Sequence, residues 1–120
     1  MKTDNIIEQL SRQFSVRIIR LYEYLKKNKI DLVLCRQLLR SGTSVGANVA
    51  ESIHAQSTAD FVSKLNIALK EADETKFWLD SFYAVNYLNE EQYNSITNDC
   101  CKIIATLVKI INTTKDNNKD

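Results

Sequence analysis

The sequence predicts an all-α fold, a single-domain antiparallel up-down-up-down four-helix bundle that is oligomeric. Apolar residues recur at spacings of three and four along four successive segments, the period of one helix face. Proline is absent and both glycines fall in one segment, so the punctuation that strands and β-turns require is missing. The links between the periodic segments are only a few residues long, which makes neighbouring helices antiparallel.

The first helix is expected over about residues 4–27, with Ile7, Leu10, Phe14, Ile18, Leu21 and Leu25 on its apolar stripe. The second is expected over 31–54, carrying Leu34, Leu38, Val45 and Val49. A third, over 57–88, opens at Ser57, whose hydroxyl can cap it with Asp60 three residues on, and continues through Phe61, Leu65, Ala68, Ala72 and Leu79. The fourth, over 90–112, is capped by Asn89 with Gln92 in the reciprocal position and turns Tyr93, Ile96, Cys100, Ile103, Leu107 and Ile110 inward. Residues 113–120 are polar with nothing to bury and read as a disordered tail. One bundle over 1–112 is the expected domain, because 120 residues cannot supply two independent cores.

Charged residues make up 26% of the chain and hydrophobic ones 44%, the balance of an ordinary globular protein. The net charge is +1, but residues 1–40 carry 9 Lys/Arg against 4 Asp/Glu, so one end is basic and could face phosphate. No apolar run approaches the roughly 20 residues that span a bilayer. The acidic and amide residues of the start occupy the place of a signal's apolar stretch, so the chain is expected to be cytoplasmic and without a membrane partner. Cys35, Cys100 and Cys101 form an odd set with no C-x-x-C pair, which reads as buried reduced thiols.

Two helices carry a second apolar face. Val16 and Ile19 lie nearly opposite the first helix's stripe, and Ile67, Glu71, Glu74, Trp78 and Val85 form a second line on the third. An aromatic and branched aliphatics interleaved with carboxylates point to an oligomer interface. The second helix is unusual in another way: Gly42, Gly46 and Ala50 recur every four residues and leave one face almost without side chains, with Ser44 and Asn48 beside it. Each glycine costs a helix interior about 1 kcal/mol relative to alanine, and close approach of a second backbone would offset that. A ligand recess is the alternative use of such a face.

Enzymatic readings find little support. Glu51-x-x-His54 with Glu71 and Glu74 has the donor types of a carboxylate-bridged metal pair, but that site takes a Glu-x-x-His from each of two helices and this chain has 1 histidine. His54 at a helix C-terminus is accounted for by the helix dipole. The cysteines have no further base, and the glycine spacing matches no phosphate loop. No catalytic residue, metal or cofactor is expected.

The segment Arg40-Ser-Gly-Thr-Ser-Val-Gly-Ala-Asn-Val-Ala-Glu51, followed by Phe61, Leu65, Ile67, Ala68 and then Leu69-Lys-Glu-Ala-Asp-Glu-Thr-Lys-Phe-Trp-Leu79, resembles the bacterial four helix bundle protein family, also called 23S rRNA intervening-sequence proteins. The similarity runs from the first helix to about Ile111. It implies a small bundle assembling into ring-like homopentamers without known catalysis. Some members are encoded in insertions within ribosomal RNA genes, and a related, strongly basic branch serves retroelements by binding RNA and a reverse transcriptase. In a ring, Arg12, Arg20 and Lys27 from one face of the first helix, with Lys26 and Lys29 at its end, would gather a phosphate-binding surface although each subunit is nearly neutral. No aromatic is evident among them for base stacking, so backbone-directed, salt-sensitive binding to structured RNA is expected. The expected function is therefore an RNA- or ribonucleoprotein-associated accessory protein; a protein-binding scaffold is the alternative.

Overall fold

A computed structural model describes residues 2–117, and among these there are four helices and no strand: α1 Lys2–Lys27, α2 Leu32–Ile53, α3 Thr58–Ala84 and α4 Glu90–Asn117. They form an antiparallel bundle of about 52 × 22 × 19 Å. Sequential helices pack as neighbours, and α4 returns to α1 through a lighter seam. Each stripe supplies the shared core: Ile7, Phe14, Ile18 and Leu25 from α1, Leu38, Val45 and Val49 from α2, Leu65, Ala72 and Leu79 from α3, and Ile103 and Leu107 from α4. Burying each such Leu, Ile or Phe is worth about 1.5–3 kcal/mol, which outweighs the mediocre helix propensity of the β-branched members.

The helix ends are set by local chemistry. Asp31 caps α2 by accepting from the Val33 and Leu34 amides at 2.8 and 3.3 Å, and Ser57 Oγ accepts from the Asp60 amide at 3.0 Å. At α4 the capping is reciprocal: Gln92 N–H donates to Asn89 Oδ1 at 2.8 Å while Asn89 N–H donates to Gln92 Oε1 at 2.9 Å. α1 and α3 close in the same way as each other. Lys29 (φ 61°) and Asn86 (φ 67°) take the left-handed conformation. The Ile30 amide then reaches back to Leu25 O at 3.0 Å and the Tyr87 amide to Phe82 O at 2.8 Å.

Several boundaries differ from expectation. α1 begins at Lys2 rather than near Asp4, and α3 stops at Ala84, because the Asn86 turn ends it where no glycine announces a stop. The expected disordered tail is helical as far as Asn117, with Thr114 Oγ1 donating to Ile110 O at 2.7 Å. Nothing in 113–117 breaks a helix already anchored by buried Ile110 and Ile111, so the polar residues extend it. The last three residues of that expected tail lie outside the described residues. Cys35 and Cys100 are buried, but Cys101 is exposed: one step along a helix turns a side chain by about 100°, so two adjacent cysteines cannot both face the core.

Candidate nucleic-acid interface

The basic residues of α1 divide into three places. Lys26, Lys27 and Lys29 are exposed together at its C-terminal end, where the helix dipole favours cations, and none forms an ion pair with another described residue. Arg20 is exposed and lines a cleft between α1 and the start of α4. Arg12 faces the other way, paired with Glu8 at 3.2 Å beside α2. The single face expected to carry Arg12, Arg20 and Lys27 is thus split among two grooves and the helix end. Tyr24, 47% exposed, stands four residues after Arg20 and three before Lys27, so an aromatic does lie among these cations. The signal was present in the sequence, in the spacing of Tyr24 from Arg20 and Lys27.

The α1–α4 cleft encloses about 530 Å³. Leu21 and Ile96 form apolar parts of its lining, and Asn89, Gln92 and Ser95 contribute polar ones. Arg17 ties its two walls: Nη1 donates to Asp99 Oδ2 at 2.7 Å and to Ser95 O at 3.2 Å, and Nη2 donates to Ser95 Oγ at 2.9 Å. Sequence reasoning passed over Arg17, since its partners lie about eighty residues away and no local pattern connects them.

The glycine face of α2 packs on α1. A Cβ at Gly42 would stand 2.7 Å from two side-chain carbons of Ile18, and one at Gly46 would stand 2.8 Å from Ser15 Oγ and 3.1 Å from the carbonyl oxygen of Ser11. At the outer edge of this crossing a recess of about 220 Å³ runs over Gly46 and Ala50, bordered by Glu8 and Arg12. Ser44 and Asn48 bond within their own helix, Ser44 Oγ to Arg40 O at 2.6 Å and Asn48 Nδ2 to Ser44 O at 2.8 Å. A buried polar link to another helix comes from Ser41, whose Oγ accepts from Thr75 Oγ1 of α3 at 3.0 Å.

The second line on α3 lies along the α2–α3 seam. Arg40 of α2 reaches both carboxylates there, at 3.4 Å to Glu71 and in a closer contact with Glu74. Burial works against the Arg40 charge, but the two carboxylates outweigh it and raise its pKa. Ile67 and Val85 are exposed, as are Val16 and Ile19 on α1. Trp78 is half-buried against Phe82 and exposed Phe77, and its indole N–H is enclosed without a hydrogen-bond partner among the described residues.

A polar cluster joins α3 to α4: Asp80 accepts from Lys76 Nζ at 2.8 Å and from the Tyr93 hydroxyl at 2.5 Å, and the Tyr93 ring stacks on Tyr83 at 4.4 Å. Burial opposes the Asp80 charge, but hydrogen bonds from Lys76 and Tyr93 prevail and lower its pKa. Cys100 Sγ lies 3.4 Å from Ala72 O, and burial pushes its thiol up to about 12. His54 is exposed at the end of α2, and Glu51 pairs with Lys64 at 3.5 Å. Among the described residues no group of three or more His, Cys, Asp or Glu is placed to hold a metal, and no helix is long and apolar enough to cross a membrane.

Against known proteins, residues 3–109 match a family model described as 23S rRNA-intervening sequence protein. A solved structure from Bacteroides thetaiotaomicron, a protein of unknown function from the S23 ribosomal protein family, is 49% identical with a TM-score of 0.88, covering 92% of this chain and 98% of that one. No functionally curated protein matches the chain.

Proposed function

Because the chain belongs to the 23S rRNA-intervening sequence protein family, we propose that it is a non-catalytic, cytoplasmic, homo-oligomeric accessory protein that associates with structured RNA or a ribonucleoprotein. The observation that carries this reading is the exposed group of Lys26, Lys27 and Lys29, which lacks carboxylate partners among the described residues. Uncompensated cations at one end of a rigid bundle attract a phosphate backbone by releasing its counterions, and an assembly multiplies the effect. Tyr24 beside them adds a surface on which an unpaired base can stack.

The proposed assembly is a homopentameric ring. Exposed Val16, Ile19, Ile67 and Val85 support subunit contacts, and Arg40 pairs with both Glu71 and Glu74 inside each subunit, so these charges meet partners before any contact forms. The test is a fluorescence-anisotropy titration of the protein, its mass fixed by light scattering, against structured RNA at about 50 and 200 mM salt. Binding that weakens by orders of magnitude at the higher salt is expected. An oligomer that binds at neither salt would retire the RNA reading in favour of a protein-binding scaffold.

A further inference from the structure

We propose that the cleft between α1 and α4 is a phosphodiester-binding site, resting on the RNA reading above and giving it a location. The argument turns on which hydrogen-bonding atoms in the cleft are already used. In the reciprocal cap of α4, backbone amides donate to Asn89 Oδ1 and Gln92 Oε1, and an amide can donate only to an oxygen. Each side-chain oxygen is thus already engaged by one amide, while the NH₂ ends of both side chains donate to no other described residue. Ser95 Oγ likewise accepts from Arg17, which leaves its own proton to donate. Arg20 brings an exposed guanidinium without an ion pair among the described residues. The lining thus offers a surplus of donors within about 530 Å³, a volume suited to a small ligand group.

An acceptor-rich anion satisfies such a surplus, and a phosphate between Arg20 and neutral donors is its commonest form in RNA. Arg17 acts as a positioning residue: its charge is met by Asp99, and it holds Ser95 and the α4 wall against α1. Glu91, exposed and also lining the cleft, opposes an anion. That opposition makes the proposal sharply testable, since adjacent substitutions must act in opposite directions.

Gln92→Glu keeps an oxygen to accept from Asn89 N–H, so the cap survives, but it removes the NH₂ donor and adds a negative charge. In the full-length protein, at about 50 mM salt, Gln92→Glu is expected to weaken binding to a fluorescein-labelled RNA hairpin by about tenfold or more with an unchanged melting temperature. Glu91→Gln is expected to tighten it several-fold, by removing the opposing charge. Arg20→Ala is expected to weaken it by about tenfold and to reduce the salt slope by about one. If the three variants bind like the wild type while charge reversal of Lys26, Lys27 and Lys29 abolishes binding, the cleft assignment is wrong and the RNA reading stands. The reverse pattern, with Gln92→Glu tightening RNA binding and Glu91→Gln weakening it, would overturn the assignment too. A wild-type protein that binds no RNA overturns both.

Discussion

Thr75 of α3 donates its hydroxyl proton to Ser41 of α2 at 3.0 Å, and Ser41 passes its own to Leu38 O at 3.3 Å, a relay in which both side chains are fully buried. Each hydroxyl also has an acceptor on its own helix, since Thr75 can turn to Glu71 O at 2.8 Å and Ser41 keeps Leu38 O. Removing either partner alone therefore leaves no orphaned group. Thr75→Val and Ser41→Ala are each expected to cost about 1 kcal/mol, and the double variant less than the sum. Urea unfolding of the full cycle checks this; strict additivity would show that the two hydroxyls do not interact.

Close packing at the glycine face makes a second expectation. Gly46→Leu has a backbone carbonyl in its way, and a backbone cannot yield as a flexible side chain can, so it should destabilise by about 1–3 kcal/mol despite leucine's better helix propensity. A melting temperature equal to the wild type's would show that this face is open, favouring a recess over a crossing.

Alkaline titration should single out Tyr93. Its hydrogen bond to Asp80 comes first among the causes that raise its pKa, followed by burial and the Asp80 charge. A raised folded-state pKa contributes stability that is complete below the unfolded value of about 10 and is lost as pH rises through the folded value. Phenolate absorbance should therefore contain a late component that moves back toward pH 10 in Asp80→Asn. A titration curve unchanged by that substitution would refute the pairing.

The thiols should separate cleanly. With Cys101 exposed and Cys35 and Cys100 buried, a disulfide reagent should modify one thiol quickly in the native protein and all three after denaturation. Cys100, held near 12, keeps its proton where an unfolded thiol near 9 has lost it, so its contribution to stability should drain away between those values as pH rises. Cys100→Ala should flatten that alkaline decline. Rapid native modification of more than one thiol would contradict the burial.

Much of the bundle was legible because periodicity, caps and short links all act locally. The Asn89–Gln92 pair could be read from three residues of spacing, and the core stripes from spacings of three and four. The end of α3 could not, because Asn86 adopts a left-handed turn that glycine usually marks. The site was less legible still. Arg40, Glu71 and Glu74 meet across a seam, as do Arg17 and Asp99, and such pairings depend on the rotation of whole helices about their axes. Arg12 and Arg20 diverge for a local reason that the period already holds: eight residues advance a helix by about 800°, some 80° beyond two full turns.

The light α1–α4 seam bears on how the molecule comes into being. Three of its four helix contacts join consecutive hairpins through links of a few residues, and so form at little cost in loop closure. Only α1 and α4 must find one another across the length of the chain. Low contact order favours rapid folding, with the final docking of α4 on α1 as its slowest rung. The cleft walled by Arg20 and Gln92 would then be the last part of the protein to take shape, and native-state hydrogen exchange should find it the first to open.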